Sequence, residues 1–205
     1  MRGVRSMLDM GTGGGEFLAA LAPLPPRTWA TEAYPPNVPI ARRRMEPLGV
    51  QVEPIESDDH LPFGDGQFDL VVNRHESFRA AEVFRILRPG GAFVTQQVGE
   101  ANAAGLNELL GSPVEPTDSG WLERSLAYLR AAGFDVLDAK EELPEAVFRD
   151  VGAVVYYLKA IPWQVRGFDP DHYREQLRTI HERIRRDGGL TVHIHRFLVE
   201  VVKPG

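Results

Sequence analysis

Met-Leu-Asp-Met-Gly-Thr-Gly-Gly-Gly-Glu-Phe-Leu-Ala-Ala-Leu, residues 7–21, decides how this chain folds. Apolar residues lead into Asp9, a glycine-dense turn follows, and Phe17, Leu18 and Leu21 then fall on one side of a helical repeat. The pattern predicts a buried strand, a tight turn and the start of a helix. Glycines at 11, 13, 14 and 15 permit positive φ and present bare backbone, so a second molecule can come close. The free N–H groups of a helix N-terminus face the same turn. Two spacings compete. In the dinucleotide fingerprint G-x-G-x-x-G a pyrophosphate sits on the helix N-terminus; Gly11 and Gly13 fit it, but Glu16 stands in the third glycine's place and would set a carboxylate against the pyrophosphate. The other spacing, acidic-x-G-x-G-x-G, is matched in full by Asp9, Gly11, Gly13 and Gly15. A carboxylate at the strand end suits a ligand that carries positive charge.

The 205 residues are enough for one domain with a substantial core. Cysteine is absent, which excludes disulfides, thiolate-ligated zinc and a thiol nucleophile, and fits a reducing, cytoplasmic setting. The formal charge of −6 argues against the broad basic footprint of a nucleic-acid binder. No apolar run is long enough to span a membrane. Residues 1–6 are too short and polar for a signal peptide.

Beyond the turn, Pro23 to Pro26 stop the first helix, and Thr28 to Ala33 reads as a second buried strand ending at Glu32. An acidic residue about 20 positions past a glycine turn can accept hydrogen bonds from ribose hydroxyls. Residues 37–48 read as a helix whose Arg42, Arg43 and Arg44 form a solvated face or, less simply, a phosphate patch; Val50 to Ile55 alternates as strand three. Phe68 to Val72 is apolar on both faces, as a doubly covered strand should be. It runs into Asn73-Arg74-His75-Glu76, where open α/β sheets place their ligands. Ser77 is positioned to cap a helix over 78–88, which Pro89-Gly90-Gly91 closes before a fifth strand, 92–98. The segment 99–119 is polar with a short helix near Leu106, Leu109 and Leu110. Residues 120–132 form a helix with Leu122, Leu126 and Leu129 inward, and a sixth strand starts at Phe134. Residues 151–161 and a run opened by Asp169-Pro170 predict two helices inserted at about 150–188; strand seven lies within 191–202.

The order of these features resembles class I S-adenosylmethionine-dependent methyltransferases of the type 11 kind. The likeness rests on the glycine turn, Glu32, Leu61-Pro62-Phe63 and Leu87-Arg88-Pro89-Gly90-Gly91, and is specific from residue 7 to about 98. It implies an α/β, doubly wound, mostly parallel sheet of seven strands in the order 3-2-1-4-5-7-6, strand seven antiparallel, with helices on both faces, in a single domain over 1–205. It implies S-adenosyl-L-methionine as cofactor, held by Asp9, Gly11, Thr12, Gly13, Glu32, Ala33 and Asn73, with adenine packing near Ala33 and Tyr34. The aspartate expected to read the adenine is displaced: its usual place holds Ser57, leaving Asp58 and Asp59 as candidates. The implied activity is methyl transfer to a small molecule by in-line displacement, with an RNA methyltransferase, a non-catalytic cofactor-binding protein and a nicotinamide enzyme as rivals. Related enzymes carry helices ahead of the first strand, so this start implies either a misplaced start codon or an open site.

Methyl transfer needs alignment and exclusion of water more than a particular side chain. A base matters only when the acceptor must lose a proton, and His75 and Glu76 are the candidates by position. His193 and His195 alternate onto one strand face but lack a third ligand, so no metal is expected. Tyr156, Tyr157, Trp163, Phe168 and Tyr173 supply either core or a substrate lid. Nothing in the sequence specifies an oligomeric state or the acceptor atom.

Overall fold

The computed structural model describes residues 3–112 and 120–205. The final part of the polar segment anticipated over 99–119, and residues 1–2, lie outside the described residues. In chain order the elements are β1 (Ser6–Met10), α1 (Glu16–Ala20), β2 (Arg27–Glu32), α2 (Val38–Met45), β3 (Gln51–Pro54), β4 (Phe68–Arg74), α3 (Ala80–Ile86), β5 (Leu87–Val98), α4 (Ala104–Leu109), α5 (Trp121–Ala131), β6 (Asp135–Glu142), β7 (Glu145–Phe148), α6 (Val151–Ala160), α7 (Arg174–Asp187), β8 (Leu190–His193) and β9 (Arg196–Val202). Seven strands form one sheet in the order β3-β2-β1-β4-β5-β9-β6, with one antiparallel strand. This is the doubly wound topology anticipated from the motifs, with β9 in the place of the seventh strand.

The chain folds as two compact units, one of Met1–Gln97, Leu122–Lys140 and Phe197–Gly205, the other of Val98–Trp121 and Glu141–Arg196. In the first unit every residue of β1 is buried. Its alternation sends Leu8 and Met10 into one core with Val71, Phe93, Val83 and Leu129, while Met7 joins Leu18, Ala30 and Met45 on the other face. Parallel pairing aligns Asp9 with Ala30 and Val72, and Met10 with Asn73. The functional end of the sheet is therefore set by register. Leu61-Pro62-Phe63 is pinned beneath it: Glu82 accepts the Leu61 N–H at 2.7 Å, and Arg85 donates to the carbonyls of Leu61 and Phe63 while pairing with Glu82.

Several local expectations change. β4 continues through Asn73 and Arg74. Ser77 does not cap α3, which begins at Ala80 behind Arg79 without a side-chain cap; its hydroxyl goes to Asp58. Leu87 to Gly91 belong to β5, because Leu87 already pairs with Phe68.

The second unit has its own core, with Leu106, Val154, Leu158, Ile180, Ile184 and Val192 buried together. Asp150 caps α6 by accepting the Ala153 N–H at 2.8 Å. The final helix begins later than Asp169-Pro170 suggests. Asp169 instead accepts the Asp171 N–H in a local turn, and α7 starts at Arg174. The stretch read as strand seven splits: β8 pairs antiparallel with β7 as a separate two-stranded sheet, Glu145 opposite His193, and only β9 enters the main sheet. No described helix is long and apolar enough to cross a membrane.

Candidate functional site

The glycine turn is shaped by its own backbone. Gly11, Gly13 and Gly15 all hold positive φ, at 67°, 61° and 80°. The Thr12 N–H donates to the Thr31 carbonyl at 2.9 Å and the Gly15 N–H to the Thr12 carbonyl at 3.0 Å, which folds the turn onto the end of β2. A side chain on Gly13 would stand in open space. One on Gly11 would lie 2.4 Å from Glu76 Cγ and 2.8 Å from Glu76 Oε2, so the Glu76 carboxylate rests directly on that bare α-carbon. Arg44, from the triplet read as a solvated face, braces the turn by donating to the Gly14 carbonyl and pairing with Glu16. Glu16 is thus turned to Arg44, and the negative group over the turn is Glu76.

Two buried carboxylates mark the strand ends. Asp9 is 4% exposed. Burial pushes its pKa up to about 6, against the lowering influence of the Thr12 hydroxyl and the Arg74 guanidinium. The Thr12 hydroxyl is near enough to act on Asp9 but lacks hydrogen-bond geometry with it, and Thr12 Oγ1 is the one buried side-chain polar atom without a partner among the described residues. Such an orphan marks a place for a ligand. Glu32 is 5% exposed and spends Oε1 on the Tyr34 N–H at 2.7 Å.

The turn after β4 is held from beneath. Asn73 accepts from Thr95 Oγ1 at 3.0 Å and Gln97 Nε2 at 2.7 Å and donates to the Ser77 carbonyl at 3.3 Å; Gln97 also donates to the Glu76 carbonyl at 3.0 Å. Asn73, expected to touch cofactor, therefore directs its amide at the protein and positions the turn. His75 adopts φ 60°, an uncommon conformation for a side-chain-bearing residue, while its N–H donates to the Gln96 carbonyl. This bend carries Glu76 back over Gly11.

Two cavities lie at this end of the sheet, and Glu76 lines the first. The first, about 390 Å³, is lined by Ala33, Glu56, Ser57, Asp58, Asp59 and residues Glu76 to Arg79. Within it Asp59 accepts from the Ser57 hydroxyl and pairs with Arg79 at 2.6 Å, which in that order lower its pKa, whereas Asp58 gives one oxygen to Ser77. The second, about 350 Å³, is lined by Asp9, Asn73, Arg74 and Gln96 with apolar Phe17, Leu21, Val72, Val94 and Leu198. Arg74 lies 4.7 Å over the Phe17 ring and donates to Gln96 at 3.2 Å. His75 is exposed and lines neither of these cavities. The structure thus gathers Asp9, Gly11, Thr12, Ala33, Asp58 and Glu76 around the turn and leaves His75 outside. Sequence reasoning placed Arg74 and Gln97 at strand ends but gave neither a role of its own; the structure gives Arg74 an edge of the second cavity and Gln97 the support of the turn after β4.

The architecture has counterparts among known proteins. A methyltransferase domain profile matches residues 8–95. Over that span, which is under half of the chain, the sequence is similar to the methyltransferase domain family. Demethylmenaquinone methyltransferase from Thermus thermophilus is 35% identical over an alignment of 100 residues that covers 44% of this chain and 46% of that enzyme, so the match spans just under half the length of the relative. A candidate methyltransferase from Bacillus halodurans C-125 superposes over 100% of this chain and 95% of its own, with TM-score 0.70 and 17% identity. Haemonchus contortus phosphoethanolamine N-methyltransferase 2, solved with S-adenosyl-L-methionine, matches 100% of this chain and 50% of its own, with TM-score 0.56 and 17% identity. At these identities the solved structures establish the fold. The match to the methyltransferase domain ends at β5, and the second unit is outside it.

In that second unit, β8 ends at exposed His193 while His195 is buried, so the two imidazoles do not share a strand face. Glu100, Glu141 and His195 bring ligand atoms within 4.8 Å of one another. The Ala101 N–H donates to His195 Nδ1 at 3.1 Å, which leaves the ring proton on Nε2, 2.8 Å from Glu141. A metal at Nε2 would have to displace that proton, so the arrangement is that of a hydrogen-bonded clamp. Of the five aromatics read as core or lid, Tyr157, Phe168 and Tyr173 pack against the core, and Tyr156 and Trp163 are exposed.

Proposed function

We propose that this protein is an S-adenosyl-L-methionine-dependent methyltransferase acting on a small molecule. The observation that carries the reading is the unsatisfied state of the glycine turn: Thr12 Oγ1 without a partner, Asp9 buried with a raised pKa, and open space over Gly13. The residues fit the group. Asp9 would face its ammonium, Glu32 would accept from ribose hydroxyls through its remaining oxygen, and Ala33 and Asp58 would bound the adenine. Asp58 suits that role better than Asp59, whose carboxylate is taken up by Arg79 and Ser57. When bound, the cofactor supplies an electrophilic methyl group on a positively charged sulfur.

The chain's own part is then to align and to exclude water. Gly11 and Gly13 allow close approach, and the Asn73-Gln97 bonds hold the turn after β4 rigid over it. The cavity beside Asp9 and Arg74, with an apolar floor and a cation at its edge, suits the amino-acid half of the cofactor, whose carboxylate that cation would face. Glu76 is the candidate to contact acceptor or cofactor; His75 is better read as the bend that delivers it. An acidic chain and the lack of cysteine support a small-molecule role in a reducing, cytoplasmic setting. A nicotinamide dinucleotide is disfavoured because Glu76 and Asp58 would oppose its pyrophosphate.

Isothermal titration calorimetry tests the reading. Micromolar binding of S-adenosylmethionine and S-adenosylhomocysteine and none of NADH is expected. No binding of either sulfur nucleoside at millimolar concentration would overturn it. A panel of small acceptors, scored by release of S-adenosylhomocysteine, then identifies the substrate.

A further inference from the structure

We propose that Glu76 is the residue by which this site tells a sulfonium from a thioether. The inference rests on the S-adenosylmethionine reading above and goes beyond it. The two halves of that cofactor differ in chemistry: one is a nucleoside, the other an amino acid. The structure offers a cavity for each, one bounded by Ala33 and Asp58, the other by Asp9 and Arg74. Glu76 lines the first and follows Arg74, which lines the second, by two residues, with its Oε2 against Gly11, so a sulfur joining the two halves across the glycine turn would pass beside it.

Glu76 is held for this place. Its Oε1 accepts the Ser77 N–H at 3.1 Å, its carbonyl accepts from Gln97, and the positive φ of His75 turns it inward. Its carboxylate has no cationic partner among the described residues. The nearby arginines are engaged elsewhere: Arg79 with Asp59, Arg74 with Gln96 and the Phe17 ring. A half-buried, uncompensated carboxylate attracts a cation more strongly than a surface one. The attraction is lost when the sulfur becomes neutral on loss of its methyl group, so Glu76 favours substrate cofactor over product.

The experiment measures three affinities by calorimetry for the wild type, Glu76→Gln and Glu76→Asp. The probes are S-adenosylmethionine, S-adenosylhomocysteine and sinefungin, which carries an ammonium in place of the sulfonium and transfers nothing. The wild type is expected to prefer both cations over the neutral thioether by about tenfold, the order of one partly buried charge pair. Glu76→Gln keeps the acceptor for Ser77 and is expected to lose that preference while binding the thioether within about twofold of wild type. Glu76→Asp should retain part of it. An equal loss for all three probes, or an unchanged ratio, overturns the proposal and leaves the cofactor reading standing. Wild-type protein that binds none of the three sinks the cofactor reading itself.

Discussion

Asp69 and Asp9 stand at opposite ends of the same pair of parallel strands and are treated in opposite ways. At the start of β4, Asp69 accepts the backbone N–H groups of Arg5 and Ser6 at 2.6 and 2.9 Å and pairs with Arg88. Burial alone would raise its pKa, but these donors outweigh it and hold the group down to about 2. At the far end of β1, Asp9 has burial without sufficient donors, and its pKa rises to about 6. One carboxylate is finished by the fold; the other is left for something to complete. The distribution matches the general rule that open α/β sheets bind ligands beyond the carboxyl ends of their strands. Here the carboxyl end of the strands is where polar groups remain unsatisfied.

The comparison can be broken in several ways. The largest effect is expected from Gly11→Ala, which adds a methyl 2.4 Å from Glu76 Cγ at φ 67°. S-adenosylmethionine affinity should fall at least about 100-fold by calorimetry. Retained binding would mean that the nucleoside does not lie on this turn. Asp69→Asn should cost about 2 kcal/mol of stability at pH 7 in urea unfolding, because a depressed pKa contributes stability above about pH 4 that is lost as pH falls toward 2. The difference from wild type should close on acidification, and cofactor affinity should not change.

Asp9→Asn should do the reverse. A raised pKa means the folded state prefers the protonated form, so the wild type loses stability as pH rises from about 4 to about 6. The asparagine variant should gain on the order of 1–2 kcal/mol at pH 7.5 without ligand and bind the cofactor more weakly. Wild-type affinity should be about tenfold lower at pH 5 than at pH 7.5, and the variant should show no such slope. Asp9→Asn that destabilises the apo protein would show that the carboxylate is satisfied after all. The smallest effect separates two neighbours. Asp58→Asn should weaken nucleoside binding several-fold, and Asp59→Asn less than about twofold, since Asp59 is already spent on Arg79. The opposite order would reassign the adenine side.

Much of the site was legible because it is written in backbone terms. Positive φ at Gly11, Gly13 and Gly15 needs glycine, and glycine spacing can be read directly. Glu32 was found by counting, since one helix and one strand after the turn occupy a nearly constant length. Ser77 misled because capping is a local inference, and a carboxylate 19 positions earlier, Asp58, took its hydroxyl. The β7–β8 pair was invisible for a related reason. Its strands are four residues long and separated by two helices, too short to establish a period and without a connecting turn to announce them. His195 was read as sharing a strand face with His193, whereas it is buried and its Nδ1 accepts from Ala101, a contact across 94 positions.

What the sequence determined by itself is the order of elements through the first half of the chain, the parallel sheet that follows from it, and the identity of the turn where a ligand would lie. Those follow from local rules, in which hydrophobic periodicity, glycine conformations and fixed spacing each act within a few residues. Only the tertiary structure decided which carboxylates remain unpaired. It set Glu76 rather than Glu16 over Gly11, gave Asp59 but not Asp58 to an arginine, and left Thr12 without a partner. Those outcomes depend on which distant side chain reaches a charge first, and a one-dimensional pattern carries no distances.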